Sequence, residues 1–379
     1  MNSTQRINGL DHLRALAITF VFFFHCAILF RFDDLLPHIV KFGWSGVDLF
    51  FVLSGYLIGS QLLRRVASGK GIHVRDFYVQ RFLRIMPAYW LVLAIYFTIP
   101  AVLERGRLPP LWRFLTFTQN FGLDATVDGA FSHAWSLCVE EHFYLLLPAL
   151  ILLLSRFRLG VWAFLLGGLL TLLGMAIRSY AWGRVGAGDG NWYELVYYPT
   201  YCHIDGLIAG VSVAAISTFY ARQWEWLERR NLLCAIAGFA LLLVAYVLND
   251  DQKNWLPSVV SFPLVAVGYG LVLIAAVSKD SVLSRGSGVT KWVAILSYSI
   301  YLIHKIVIHL VQGAAAAYDV APNSATVLAL CAVCTLGCAY IVHVAVERPF
   351  MRLRDRLFAT DAGRKTTTVK FGEEGTQVL

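Results

Sequence analysis

Long apolar runs separated by short polar stretches dominate this chain, and ten of them predict membrane-crossing helices at about 14–30, 45–63, 85–104, 135–154, 161–180, 202–219, 231–249, 258–277, 292–312 and 325–346. Most approach the ~20 apolar residues that carry an α-helix across a bilayer core. The expected fold is therefore all-α: a polytopic membrane bundle in which helix packs on helix, without internal repeat or low-complexity block.

Ten crossings put both termini on one side, and the basic residues indicate which. With the N-terminus inside, the inner segments hold 22 Lys/Arg and the outer loops seven, Arg14, Arg178 and Lys305 lying within the spans. That asymmetry predicts an N-in, C-in topology. Residues 1–356 then form the membrane domain, and the polar stretch 357–379 reads as a disordered cytoplasmic tail.

Composition agrees with the pattern: hydrophobic residues make up 58% of the chain and charged ones 15%, against ~25% charged in soluble domains. The net charge of +8 is accounted for by inner loops facing an anionic lipid leaflet, so nucleic acid is not a partner. The first span is not read as a cleaved leader, because Asp11 flanks it and no small-residue cleavage site follows. Cys331, Cys334 and Cys338 lie in an apolar span without a nearby acidic ligand; they read as helix-packing residues, and no metal site or disulfide framework is expected. The outer segment 105–134 looks interfacial, with Trp112, Phe114 and Phe117 as anchors, and NWYELVYYPTY (191–201) is a second aromatic outer stretch.

Two ionisable residues in the first span are costly enough to need a reason. Arg14 and His25 are separated by eleven residues, about three helical turns, so they share one face some 16 Å apart. Arg81 and Arg84, three apart in DFYVQRFLRIMP, point the same way near the inner face, with Pro87 at a first turn or kink. His25, Asp48, Glu140, Glu141, His203 and Asp205 fall in the outer half and His304 near the middle. Cations inside and acid–base groups outside suit an anionic, phosphate-tailed donor from the cytoplasm and a hydroxyl-bearing acceptor from the far side. Glu140 recurs at four-residue spacing with Ser136 and Tyr144, which selects it over Glu141 as the bundle-facing carboxylate. Asp205 reads equally as a helix cap and as an acceptor contact. Glu347 is expected to pair with an arginine.

RINGLDHLRALAITFVFFFH (6–25), GWSGVDLFFVLSGYLI (43–58), FYVQRFLRIMPAYW (77–90) and HAWSLCVEEHFYLLLP (133–148) together resemble acyltransferase family 3, the integral membrane O-acyltransferases. HIDGLIAG (203–210), LSYSIYLIH (296–304) and VERPF (346–350) are weaker matches in the same order. The resemblance implies a ten-helix bundle in the plasma (bacterial inner) membrane, here in a stand-alone form without a fused soluble domain. It implies transfer of an acyl group, usually acetyl, from acetyl-CoA or another acyl-CoA to a glycan, glycolipid or natural-product hydroxyl. Arg14 and His25 match the family's arginine–ten residues–histidine signature, with the histidine catalytic. Arg81 and Arg84 match its donor-associated pair, and Trp135, Ser136 and Glu140 its tryptophan–serine–glutamate element. His12 stands where a small residue is usual, and His203 where an arginine is often found.

A neutral histidine in a low-dielectric setting can remove the acceptor's hydroxyl proton as it attacks a thioester. His25 is the expected general base, with Glu140 orienting it or stabilising the imidazolium as it forms; an acyl-His25 relay between the two faces is the second mechanism. Arg14, Arg81 and Arg84 are the expected donor-binding residues, and Trp135, Ser136, His203 and Asp205 the expected acceptor-side ones. A transporter or flippase of a glycan or small molecule is the competing class, since polar groups at mid-membrane would also line a transport path.

Overall fold

The computed structural model describes residues 7–155, 159–186 and 191–364. Among these, every regular element is helical. Eight helices are long and apolar enough to cross a membrane, which makes this a multi-pass membrane protein. They include α1 (Asn8–Phe30), α2 (Ser45–Ala67), α5 (Trp135–Leu154), α6 (Leu159–Val185) and α9 (Asn231–Leu248). The others are α10 (Phe262–Val277), α11 (Gly288–Ala317) and α12 (Ala325–Val342). The two remaining predicted crossings fall on α3 (Val74–Thr98) and α7 (Asp205–Phe219). The first turns of α3 are charged. At 15 residues, α7 spans about 22 Å, short of the ~30 Å hydrocarbon core.

Short helices fill the connections: α4 (Leu111–Leu115) in the segment 105–134, α8 (Ala221–Glu228) between α7 and α9, and α13 (Arg348–Arg364) at the end. A π-helical turn, His343–Glu347, joins α12 to α13, and α13 passes the boundary expected at residue 356. Residues 365–379 of the expected tail lie outside the described residues. His343 Nδ1 and Glu347 Oε2 are 2.6 Å apart, so the partner of Glu347 is a histidine one turn back on its own helix rather than an arginine. Pro87 sits well inside α3, not in its first turn.

The core lies in α2, α10 and α11, flanked by α1, while α6, α9 and α12 turn most of their surface outward. Leu165, Leu169, Leu172, Leu232, Phe239 and Leu243 on α6 and α9 are exposed, as expected where lipid is the solvent. The most intimate helix pair is α2 with α7. Gly55 and Gly59 on α2 lie against Leu207, Val211 and Ala214 of α7, and Gly206 and Gly210 on α7 against Asp48, Val52 and Tyr56 of α2, two small–xxx–small faces pressed together. A Cβ on Gly55 would collide with the Leu207 carbonyl and one on Gly210 with the Val52 carbonyl. Backbones can approach this closely only where side chains are missing.

Candidate active site

The inner-face arginines of the sequence come together. Arg14 of α1, Arg81 and Arg84 of α3, Ser136 and Glu140 of α5 all line one cavity of about 250 Å3, with Ser54 and Gln61 of α2 and Tyr301 of α11. Arg81 and Arg84 are already on the helix, one turn apart, because α3 starts at Val74. Arg81 donates to Gln61 Oε1 at 3.2 Å. Arg14 approaches Asp11 at 3.9 Å, one turn earlier on α1. Three guanidinium groups around one space give it strong anion selectivity, and their fork geometry suits phosphate oxygens.

Glu140 faces this cavity, and the neighbouring Glu141 does not line it, as the four-residue spacing of Ser136, Glu140 and Tyr144 implies. Its carboxylate accepts from Ser54 Oγ at 2.7 Å and from the Tyr144 hydroxyl at 3.2 Å. These bonds, rather than His25, engage the Glu140 carboxylate. The reason is position: Glu140 lies one turn further along α5 than Ser136, on the arginine side, while His25 lies near the other end of α1.

His25 meets other histidines. Its Nδ1 is 2.8 Å from Nε2 of His304 on α11, and the His133 ring is centred 6.1 Å from that of His25 and 5.0 Å from that of His304. His304 and His133 are buried, whereas His25 is partly exposed. Among the described residues neither nitrogen of His133 has a hydrogen-bond partner. The three rings therefore form a cluster that opens outward at His25.

One side chain is common to the cavity and this cluster. Tyr301 lines the cavity, and its ring lies 5.4 Å from that of His133 and 6.1 Å from that of His304. Its hydroxyl donates to the His133 carbonyl and stands within hydrogen-bond reach of Ser136 Oγ. With its proton committed to the carbonyl, the phenol oxygen accepts from Ser136. Tyr301 and Ser136 thus form the seam between an arginine-lined chamber and a histidine cluster. Lys305, the next residue after His304, pairs with Glu104 at 2.7 Å and reaches Ser132 Oγ at 3.2 Å. Glu104 in turn accepts from the Phe131 amide at 3.2 Å. These contacts tie the segment carrying His133 to α11.

The expected acceptor-side residues divide. Ser136 is on the seam. Trp135 packs its ring 4.9 Å from His203, away from the cavity. His203 is buried with Nε2 3.1 Å from Asp48 Oδ1 and Nδ1 3.0 Å from the Tyr197 carbonyl. Asp205 pairs with Arg178 at 2.7 Å, both side chains almost fully buried, and α7 has no side-chain cap; Asp205 therefore joins α6 to α7 rather than capping its own helix. Of the three interfacial anchors expected in 105–134, Trp112 is exposed, but Phe114 is buried and stacks on Phe131.

Sequence reasoning did not single out His133, Tyr301, Lys305 or Glu104 for the site. For Tyr301 and Lys305 the signal was present in LSYSIYLIHK, where Ser297, Tyr301, His304 and Lys305 fall at three- and four-residue intervals on one face of a helix; His133 and Glu104 lie before α5 with no such periodicity. Among the described residues no group of His, Cys, Asp and Glu is arranged to hold a metal ion.

The profile of one protein family, described as an acyltransferase domain, matches residues 7–344. The chain is 28% identical over 329 residues to a peptidoglycan O-acetyltransferase, OatA, of Listeria monocytogenes, covering 81% of this chain and 50% of that protein. It is 26% identical over 334 residues to the O-acetyltransferase OatA of Staphylococcus aureus, covering 83% and 52%. The chain thus spans about half the length of these curated relatives. No solved structure matches it.

Proposed function

The chain belongs to acyltransferase family 3, and on that premise we propose that it moves an acyl group, acetyl in the simplest case, from acyl-CoA to a glycan hydroxyl across the Tyr301–Ser136 seam. The donor enters the arginine-lined chamber from the face where α1 begins. That face is cytoplasmic in the N-in, C-in topology with ten crossings that the basic residues favour. The acceptor comes to the partly exposed edge of His25. The name of the Listeria relative directs attention to peptidoglycan, a cell-envelope glycan, as the acceptor class, and in this reading the long apolar helices sit in the plasma (bacterial inner) membrane.

One observation carries this reading: Arg14, Arg81 and Arg84 line the same cavity as Tyr301 and Ser136, and Tyr301 packs directly on His133 and His304. The arginines hold the phosphates of the donor. His25 takes the proton from the acceptor hydroxyl as its oxygen attacks the thioester carbonyl. The C–S bond then breaks, and the departing CoA thiolate recovers that proton. Glu140, held by Ser54 and Tyr144, serves the donor chamber.

The test is transfer of radiolabel from acetyl-CoA to an envelope glycan by the purified protein in lipid. Transfer by wild type and its loss in His25→Ala support the reading. Ready transfer by His25→Ala would sink it. Label trapped on His25 without acceptor would replace the base by an acyl relay. Vesicle accumulation of unmodified glycan without covalent change would indicate a transporter instead.

A further inference from the structure

The backbone of α11, acting through His304, bears on which nitrogen of His25 carries its proton, alongside the hydrogen bond that His25 makes to the Val21 backbone one turn earlier on α1. His304 Nδ1 lies 3.1 Å from the Ile300 carbonyl and 2.8 Å from the Tyr301 carbonyl. Both neighbours are acceptors only, so Nδ1 of His304 must carry the hydrogen. In a neutral imidazole the other nitrogen then has the lone pair. His304 Nε2 is therefore an acceptor, and the atom 2.8 Å away, His25 Nδ1, must be the donor. The hydrogen on His25 Nδ1 leaves the lone pair on its Nε2. Two backbone carbonyls three and four residues before His304 thereby set the tautomer of a residue on another helix.

From this chain of contacts we infer that His304 is a positioning residue, which presents His25 to the acceptor in the Nδ1–H, Nε2-lone-pair form. The arrangement parallels the carboxylate–histidine pairing of hydrolytic triads, in which the partner of the base holds its tautomer and ring orientation. Here a neutral imidazole takes the carboxylate's place. The site is prepared for it: His304 is buried at 0% exposure, its Nδ1 is occupied by backbone, and its ring is flanked by Phe22 at 6.5 Å and His133 at 5.0 Å. Among the described residues, the side-chain polar group within hydrogen-bond reach of its Nε2 is His25.

The inference rests on His25 acting as the base, so its test includes a readout that needs no turnover. Protein labelled with 15N-histidine in lipid, compared with a His25→Asn variant to identify the His25 signals, should show Nδ1 protonated and Nε2 pyridine-like in wild type. His304→Leu should convert His25 to a mixture of tautomers, and His304→Gln, whose carboxamide oxygen can accept in place of Nε2, should restore the single form. In turnover, His304→Leu should lower kcat about 100-fold, the scale of a misdirected base, with KM for acyl-CoA unchanged, and His304→Gln should recover to within about fivefold of wild type. A wild-type His25 protonated at Nε2 would overturn the assignment, as would a tautomer unaffected by His304→Leu. Equal loss of kcat in Leu and Gln variants that both keep their fold and their donor KM would also overturn it. Absence of acyl transfer by wild type would defeat the proposed function while leaving the tautomer assignment to stand or fall by the spectra.

Discussion

Lys305 and Glu104 form an ion pair at 2.7 Å with both side chains 1% exposed, and this pair fastens the segment before α5 to the helix that carries His304. Removing one partner leaves the other charge buried and uncompensated, at a cost of about 3–5 kcal/mol. Lys305→Met or Glu104→Leu should each lower the temperature at which the protein loses its monodisperse elution profile by many degrees. The double variant, with no stranded charge, should recover most of that loss.

The α2–α7 contact predicts a sharp asymmetry among glycines. Gly210→Ala places a methyl against the Val52 carbonyl, whereas Gly168 on α6 has nothing within 4 Å of an added Cβ. Gly210→Ala should destabilise by about 1–3 kcal/mol and reduce the yield of folded protein. Gly168→Ala should elute and melt as wild type does. Thermal unfolding in one detergent compares the two directly.

Arg84 lines, from α3, the chamber proposed to hold the donor phosphates, and a hydrogen bond to a charged group is worth about 1.5–3 kcal/mol. Arg84→Ala should therefore raise KM for acyl-CoA about tenfold or more. The effect on a donor fragment lacking the nucleotide phosphates should be much smaller. Steady-state kinetics with acetyl-CoA and such a thioester separates phosphate binding from general disruption.

Glu140 and Glu141 should respond unequally to the same change. Glu140→Gln alters a carboxylate that holds two hydroxyl donors on the chamber wall and should lower kcat/KM about 100-fold, about 2.7 kcal/mol at about 1.4 kcal/mol per tenfold. Glu141→Gln should stay within about threefold. An equal loss in both would mean that the carboxylates act through stability, which a melting curve taken alongside would reveal.

Much of the helical framework was legible from hydropathy, because a bilayer demands long apolar runs and every predicted crossing coincides with a helix. Where the pattern was least regular, it was least informative: α7 is short, and the segment before it is irregular but buried, which protein surroundings permit at membrane depth. The chamber was legible only in pieces: i, i+3 spacing put Arg81 and Arg84 on one face, and four-residue spacing put Ser136 and Glu140 on another. The sequence assigned the two sets to opposite halves of the membrane, whereas they line one cavity. The partner of His25 was not legible. His25 and His304 are separated by 279 positions, and the polar face that His304 shares with Tyr301 and Lys305 does not say which distant helix it meets. The same limit hid the pairing of Arg178 with Asp205, whose meeting depends on how α6 lies against α7.

α2 has two unlike sides. Gly55 and Gly59 press against α7, while Phe50, Ser54, Leu57, Ile58 and Gln61 line the donor chamber. Fold and selectivity are thus written on opposite edges of one helix and can be edited separately. Trimming Leu57 or Ile58 would enlarge this chamber without touching the glycine seam, so that under the proposed function a longer acyl group becomes admissible through changes of volume alone. A scaffold of this kind can diversify its donor by a few small steps while the framework around it stays fixed.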